Sequence, residues 1–297
     1  MREVAVVTTG FFDGVHLGHR HVLETVVSSA RERGEEAVAV TFWPHPRTVL
    51  QQDARELRLL TSLEEKKRLL AAAGIDRVAV LPFTRAFAAL SAAEYRDLLV
   101  REYGASLLVM GYDNRIGADH KTAAEMPGPV LSCREMGVER HISSTHIRRC
   151  LADGDIAEAN AMLGYAYPLY GVVVAGKRLG RTLGFPTANM QLYEPLKLVP
   201  RNGVYAVEAD VLGQTFRGMC NVGFRPTVGG DGRTIETHLL DFDQDIYGLP
   251  LRLRFLHRLR DERKFPSLEA LREQLDRDAA AVRRLSSAEK NAGKDGF

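Results

Sequence analysis

Two histidines three residues apart, His16 and His19, follow the turn Gly10-Phe11-Phe12-Asp13-Gly14-Val15 near the start of the chain. At that spacing on the first turns of a helix, both imidazoles face one way. The run 4–9 before the turn is apolar and β-branched, as a buried strand would be. A strand, a glycine turn and a helix N-terminus make an anion site, because first-turn N–H groups lack partners and the macrodipole adds about half a positive charge. The chemistry expected is nucleotide triphosphate binding, with Gly10, Phe12, Asp13 and Gly14 in the phosphate-holding turn. Glycine turns of this kind are common in α/β proteins, and two histidines could be half of a metal site. No cysteine lies near them, however, and His21 falls on another face of the helix. Glycines, aspartate and both histidines in this order favour the nucleotide.

Three later stretches carry further candidate chemistry. Ser143-Ser144-Thr145-His146-Ile147-Arg148 leads into a helix, where hydroxyls, helix N–H groups and the Arg148 fork would make a second anion cradle. An ordinary capped helix with a solvated arginine is the plain alternative. Gly176-Lys177-Arg178-Leu179-Gly180-Arg181-Thr182-Leu183-Gly184 carries three glycines and three cations. Such a loop can wrap polyphosphate through backbone N–H groups, with Gly176, Lys177, Gly180 and Gly184 as candidates. Thr187 and Asn189, two apart, point the same way in extended chain. Their hydroxyl and amide oxygens are hard ligands, suited to magnesium carrying phosphates. A basic surface loop running into a polar strand end would explain either half alone. Glu236 interrupts the strand-like run 234–240, and a carboxylate there must be paired, solvated or functional. Beside a nucleotide it could take a proton from an attacking hydroxyl, a role worth about 10²–10⁴-fold in rate. An exposed strand glutamate is the commoner reason for such a residue.

These side chains need elements to position them. Residues 16–33 read as a helix with Leu17, Val22, Leu23, Val26 and Val27 on its apolar face and Gly34 as its stop. Residues 37–42 form the next strand, ended by Trp43-Pro44-His45-Pro46, whose two prolines forbid regular structure. Ser62 caps a second helix that Gly74 closes, and residues 77–81 are a third strand. Ser91 and Glu94 form a capping box for a third helix reaching about Glu102. Residues 105–110 are a fourth strand ended by Gly111, and 118–130 read as a polar loop.

Alternating strands and helices predict a doubly wound parallel sheet, a Rossmann-like α/β domain. Ligands in such sheets lie beyond the carboxyl ends of the strands, so the opening turn, 43–46 and 111–117 should converge on one cleft. A helix at about 155–163 ends at Gly164, the expected domain boundary. Beyond it, short runs at 169–174, 204–211, 216–220, 234–240 and 251–256 alternate with glycine- and proline-bearing turns. They predict a small antiparallel β-barrel or sandwich. A C-terminal amphipathic helix with Leu268, Leu271, Leu275 and Val282 on one face should pack on it. The expected domains are therefore 1–164 and 165–285, with 286–297 a disordered tail.

Composition narrows the function classes. A chain of 297 residues suits two domains, and 45% apolar with 26% charged residues is ordinary for a soluble protein. A net charge of +2 argues against bulk electrostatic binding to nucleic acid or an anionic membrane. Cys133, Cys150 and Cys220 are widely spaced and odd in number, which fits reduced thiols better than a disulfide framework or a zinc site. No signal-peptide pattern and no membrane-length apolar run is seen, so the expectation is a soluble cytoplasmic protein.

Four motifs stand in order along the chain: Gly10-Phe11-Phe12-Asp13-Gly14-Val15-His16-Leu17-Gly18-His19, Ser143-Ser144-Thr145-His146-Ile147-Arg148, Gly184-Phe185-Pro186-Thr187-Ala188-Asn189 and Glu236-Thr237-His238. With Leu259-Arg260-Asp261-Glu262-Arg263-Lys264-Phe265 near the end, the chain resembles the bacterial bifunctional riboflavin kinase/FAD synthetases over about residues 4–285. The resemblance implies an N-terminal nucleotidyltransferase module and a C-terminal riboflavin kinase barrel. The barrel would transfer the γ-phosphoryl of MgATP to the riboflavin 5′-hydroxyl. Glu236 would be the base, Thr187 and Asn189 would hold magnesium, and the 176–184 loop would cover phosphate. In the first module the FMN phosphate would attack the α-phosphorus of a second ATP, giving FAD and pyrophosphate. His16, His19 and Arg148 would stabilise the developing charge, with Ser144 and Thr145 helping. Asp113, Asn114 and Arg260 would border flavin.

One segment departs from the family pattern. In Gly111-Tyr112-Asp113-Asn114-Arg115-Ile116-Gly117, Asn114 replaces an aromatic or histidine and Ile116 replaces phenylalanine. That departure motivates a second expectation: a riboflavin kinase alone, its N-terminal module inactive or acting on another phosphorylated substrate. A third is a flavin-sensing binding protein, against which the intact Thr187, Asn189 and Glu236 argue.

Overall fold

The computed structural model describes residues 4–50, 57–134, 142–176, 179–224 and 232–292. The chain divides into two compact units, Met1–Ser144 and Thr145–Phe297. The first runs β1 (Ala5–Thr9), α1 (Leu17–Arg33), β2 (Glu36–Trp43), α2 (Pro46–Leu50), α3 (Leu63–Ala72), β3 (Arg77–Pro82), α4 (Arg85–Ala88), α5 (Ala92–Tyr103), β4 (Ala105–Met110) and β5 (Val130–Ser132).

All five strands are parallel, in the order β3-β2-β1-β4-β5. Alternate residues feed two cores, as the strand period demands. Val6, Ala37, Ala39 and Val109 pack with Leu23 and Val26 of α1 on one face. Ala5, Val7, Val38, Val40 and Leu108 pack with Tyr95 and Leu99 of α5 on the other. This is the doubly wound sheet. Its order reverses between β1 and β4, the position where such sheets take ligands.

Local chemistry explains the helix starts. Ser62 with Glu65 and Ser91 with Glu94 form full capping boxes before α3 and α5. Gly34 ends α1 in the left-handed conformation. Two local expectations change. Pro46 does not exclude regular structure but opens α2, because a first-turn N–H has no intrahelical partner to lose. Residues 118–130 are not only loop: a single 3-10 turn (Ala123–Glu125) leads to β5, whose three residues are too few to show a period.

The second unit begins inside α6 (Ser144–Asp153) and continues through α7 (Ile156–Leu163). The division therefore falls ahead of Gly164, because α7 is tied to the strands of the second unit. The Asn160 amide donates to the Phe255 carbonyl at 2.9 Å and accepts from the Tyr167 N–H at 2.8 Å. Then come β6 (Tyr167–Val174), α8 (Leu179–Thr182), β7 (Ala188–Leu192), β8 (Gly203–Val211), β9 (Gln214–Phe224), β10 (Arg233–Leu239), β11 (Pro250–Arg260) and α9 (Leu268–Ala292).

The six strands close into an antiparallel barrel in the order β10-β7-β6-β11-β8-β9. β11 is longer than its apolar run because outward arginines alternate with inward Leu251, Leu253 and Phe255. Arg254 pairs with Glu208 at 2.8 Å and Asp210 at 3.1 Å on neighbouring β8. On the outer face, Ala279 and Val282 of α9 bury against Val204, Ala206, Met219 and Leu240. That helix runs to Ala292, past the expected start of a tail at 286, while 293–297 lie outside the described residues.

One glycine is demanded by a close approach. Ile116 and Lys121 exchange backbone hydrogen bonds of 2.9 and 2.8 Å, folding a tight turn onto the start of α5. Gly117, in that turn, has φ +79°, and a Cβ there would lie 2.3 Å from the Ala92 nitrogen. We expect Gly117→Ala to destabilise the first unit by about 2 kcal/mol or more, read as an earlier transition in denaturant unfolding.

Candidate active sites

In the first unit the opening turn is held from below by Asp13. This buried carboxylate accepts from the Leu60 and Thr61 N–H groups and from the Thr61 hydroxyl, each at 3.0 Å. The Thr61 hydroxyl in turn accepts from the Gly14 N–H at 3.1 Å. Asp13 is thus the anchor of the turn, and its oxygens point into the protein. The chain it anchors is strained: Phe12 and Val15 have φ of 52° and 38°, unfavourable for an aromatic and more so for a β-branched residue.

His16 caps α1, its Nδ1 accepting from the His19 N–H at 3.3 Å. The first turn is therefore less open than expected, since one of its N–H groups is already taken. The two imidazoles stack with centroids 3.7 Å apart and planes 15° from parallel. With Nδ1 of His16 accepting, its ring proton sits on Nε2. Nδ1 of His19 is buried and has no hydrogen-bond partner. Burial, then the neighbouring His16 and Lys66, hold the His19 imidazole well below the usual histidine range, so it is neutral.

The Ser144 hydroxyl donates to the Asp13 carbonyl at 2.8 Å, bringing Ser144 onto the opening turn. Thr145 and Arg148 follow on α6, in the second unit. From the β2 side, His45 meets Phe11 edge-on at 4.2 Å. Gly10 donates to the Val40 carbonyl, and the Thr41 hydroxyl donates to that of Phe11. At the end of β4, Asp113 is exposed and Asn114 lies against Gly111. Ile116 is buried with Tyr95, Leu99 and Met110. Its exchange for phenylalanine is therefore a change of core packing.

In the second unit Glu236 stands on β10 directly opposite Asn189 of β7 and Asn221 of β9. Strand alternation puts Ile235, Thr237 and Leu239 into the barrel and leaves Glu236 and His238 on its outer face. There Glu236 lines a cavity of about 300 Å³ with Asn221, Met219, Thr187, Arg260, Glu262 and Phe265. A second cavity of about 280 Å³ opens beside it, walled by Val173, Ala188, Leu239, Phe242, Ile246 and Tyr247. Thr187 borders both.

The glycine loop presses on this junction. A Cβ on Gly176 would lie 2.2 Å from the Asn189 amide nitrogen, and one on Gly180 would lie 2.1 Å from the Phe185 carbonyl. Gly180 belongs to short α8 rather than to an open loop, Gly184 has φ +83° in open space, and Lys177 lies outside the described residues. Arg260 reaches the first cavity but is clamped by buried Asp278, with Nη2 2.8 Å and Nε 3.0 Å from one carboxylate oxygen. It braces the barrel against α9.

Comparison with known proteins decides what these sites belong to. A FAD synthetase family profile matches residues 1–145 and a riboflavin kinase profile matches 163–286. Proteins named bifunctional riboflavin kinase/FMN adenylyltransferase are 37% identical in Bacillus subtilis, over 96% of this chain and 94% of theirs. In Escherichia coli K12 the figures are 39%, 98% and 96%. The chain belongs to the bifunctional riboflavin kinase/FMN adenylyltransferase family. A Streptococcus pneumoniae crystal structure described as a macrolide-efflux protein also superposes, with a TM-score of 0.91, 34% identity and 95% of each chain covered. Among the described residues here, no helix is long and apolar enough to cross a membrane.

Sequence reasoning had passed over several residues of these two modules. Asn221 lines the cavity beside Glu236 without belonging to any motif and was findable only from strand register, while Glu262, within the 259–265 stretch, had been given no role. Lys66 of the FAD synthetase module lies fully buried beneath the opening turn, hidden in a run that reads as an ordinary charged helix start. Asp13→Ala should cost the first unit about 3 kcal/mol or more by stranding the Leu60 and Thr61 N–H groups. The same protein should lose FAD formation while phosphorylating riboflavin at the normal rate, a split that parallel assays would read directly.

Proposed function

We propose that the second unit makes FMN and the first consumes it, with the side chains described above in distinct roles. The chain phosphorylates riboflavin to FMN with ATP and adenylylates FMN to FAD with a second ATP, releasing pyrophosphate. The observation that carries the kinase half is Glu236 opposite two asparagines, on the wall of a cavity that meets a second at Thr187. In this reading flavin occupies the Glu236 side and ATP the neighbouring chamber, so the reacting oxygen and the γ-phosphorus meet near Thr187. Glu236 takes the proton of the 5′-hydroxyl, the oxygen bonds to the γ-phosphorus, and ADP leaves.

Thr187 and Asn189 would hold Mg²⁺ there. The donor set fits by its chemistry: both residues offer hard oxygens, Asn189 stands cross-strand from Glu236, and Thr187 borders both cavities. When bound, the ion neutralises charge on the transferring phosphate. The backbone of Gly176, Gly180 and Gly184 covers the phosphates, and Arg260 fixes one wall of the flavin chamber.

In the first unit, the stacked His16 and His19 each offer an Nε2–H to the α-phosphate, with Ser144 beside them on the turn. Gly10, Phe12 and Gly14 shape the turn around the triphosphate. Asp113 and Asn114 border the flavin, and the burial of Ile116 supports an intact module at this edge. The FAD synthetase match over residues 1–145 favours two activities over a kinase alone.

Incubating the pure protein with riboflavin, ATP and magnesium should yield FMN first and then FAD by chromatography. FMN that accumulates with no FAD under any condition would overturn the two-activity reading. Glu236→Gln should abolish FMN formation yet leave FAD formation from supplied FMN largely intact. His19→Ala should do the reverse, and joint loss of both activities in either variant would contradict two separate sites.

A further inference from the structure

Lys66 is fully buried, and a buried ammonium needs strong reasons to stay charged. Its partners are few. Nζ lies 3.5 Å from the Thr41 hydroxyl and 3.5 Å from the centroid of the Phe11 ring, and it feels the charge of Asp13. Among the described residues no carboxylate is paired with it, and one hydroxyl and one ring face are its close contacts. All three groups belong to the opening turn or to the strand beside it. A lysine that served only packing would be better replaced by methionine, which has the same reach without the desolvation penalty.

We propose that Lys66 is a positioning residue of the adenylyl-transfer site, acting through Phe11, Asp13 and the His16–His19 stack. The inference rests on the first unit being that site. The cation does two things at once. It supports Phe11 by a cation–π contact under the strained turn. It also makes a second positive charge on the neighbouring imidazoles costly, so that His19 stays neutral and offers one fixed Nε2–H donor.

The groups facing this pair come from every side of the turn. Lys66 comes from α3 and His16 from the cap of α1, while Asp13 lies on the lysine side and His45 stands behind Phe11. Among the described residues named here Asp13 is the acidic one, and its carboxylate is held by Leu60 and Thr61. Burial draws Lys66 itself down to about 8, so its influence is full near neutrality and fades above that pH.

If neutral His19 is the working form, FAD formation fails as pH falls through the His19 midpoint. Burial and then His16 hold that midpoint low and Lys66 adds to them, so removing its charge should raise it. In Lys66→Met, FAD formation from supplied FMN should therefore lose its acid limb at a higher pH than in the unaltered protein, with a lower rate below both midpoints. Above pH 8 the two rates should converge. The His19 imidazole, followed by NMR in the full chain, should titrate with the same upward displacement.

Lys66→Gln provides a second neutral variant should methionine disturb folding, and Lys66→Arg should restore the original acid limb by restoring charge. Unmoved His19 midpoints in the folded neutral variants would overturn the proposal, as would an Arg variant that behaves like Met. A natural chain that makes no FAD from FMN and ATP would instead overturn the reading of the first unit, an outcome the NMR titration distinguishes.

Discussion

The buried carboxylate of Asp13 is the constraint on which the first site depends. Four hydrogen bonds from Leu60 and Thr61 converge on it, and through Thr61 it also fixes Gly14. A residue pair with positive φ, Phe12 and Val15, costs on the order of 1–3 kcal/mol each and persists only where surrounding bonds over-determine the backbone. Charge-assisted bonds to a buried carboxylate supply that determination. Once the turn is fixed, His16 reaches the cap position of α1 and its ring lies on that of His19. The same anchor faces Lys66, so one anion both shapes the turn and tempers the cation beneath it.

The kinase barrel solves a different packing problem. A closed six-stranded barrel fills its interior with side chains, leaving chemistry to the outer face and the ends. Alternation on β10 sends Thr237 inward and Glu236 and His238 outward, where α9 and the 260–265 segment wall off a cavity. Register then does what sequence distance hides: Asn189, Asn221 and Glu236, far apart in the chain, become cross-strand neighbours. The contacts of Gly176 with Asn189 and of Gly180 with Phe185 leave no room for a side chain, so the glycine loop is set by these approaches as much as by phosphate.

Much of this was legible from residue order. Apolar runs of strand length between capped helices identify the parallel sheet, because elements carry their own start or stop signals at Ser62, Ser91 and Gly34. β5 and β7 escaped for physical reasons. One is three residues long, and the other alternates Ala188, Met190 and Leu192 with the polar Asn189 and Gln191, so it reads as the end of a loop. The compact units divide ahead of Gly164, a true helix stop, because Asn160 bonds forward to Tyr167 and Phe255. Asp13 looked like a phosphate ligand because its partners, Leu60 and Thr61, lie far along the chain. No local pattern reveals that a carboxylate is already satisfied.

The two sites also differ in the charge they carry, and the substrates explain why. Riboflavin offers a neutral hydroxyl, which becomes a competent nucleophile only as its proton leaves, so a kinase cavity needs an acceptor, the role proposed above for Glu236. FMN arrives as a phosphate that is already mostly dianionic near neutral pH. An acid–base group would add nothing there, and a carboxylate facing two phosphorylated substrates would repel both. The opening turn accordingly keeps its one aspartate pointed inward and presents imidazoles with a lysine behind them. Neutral imidazoles rather than imidazolium give fixed donors that need not lose a proton when product dissociates, while the positive field comes from a buried group that leaves the reacting atoms uncrowded.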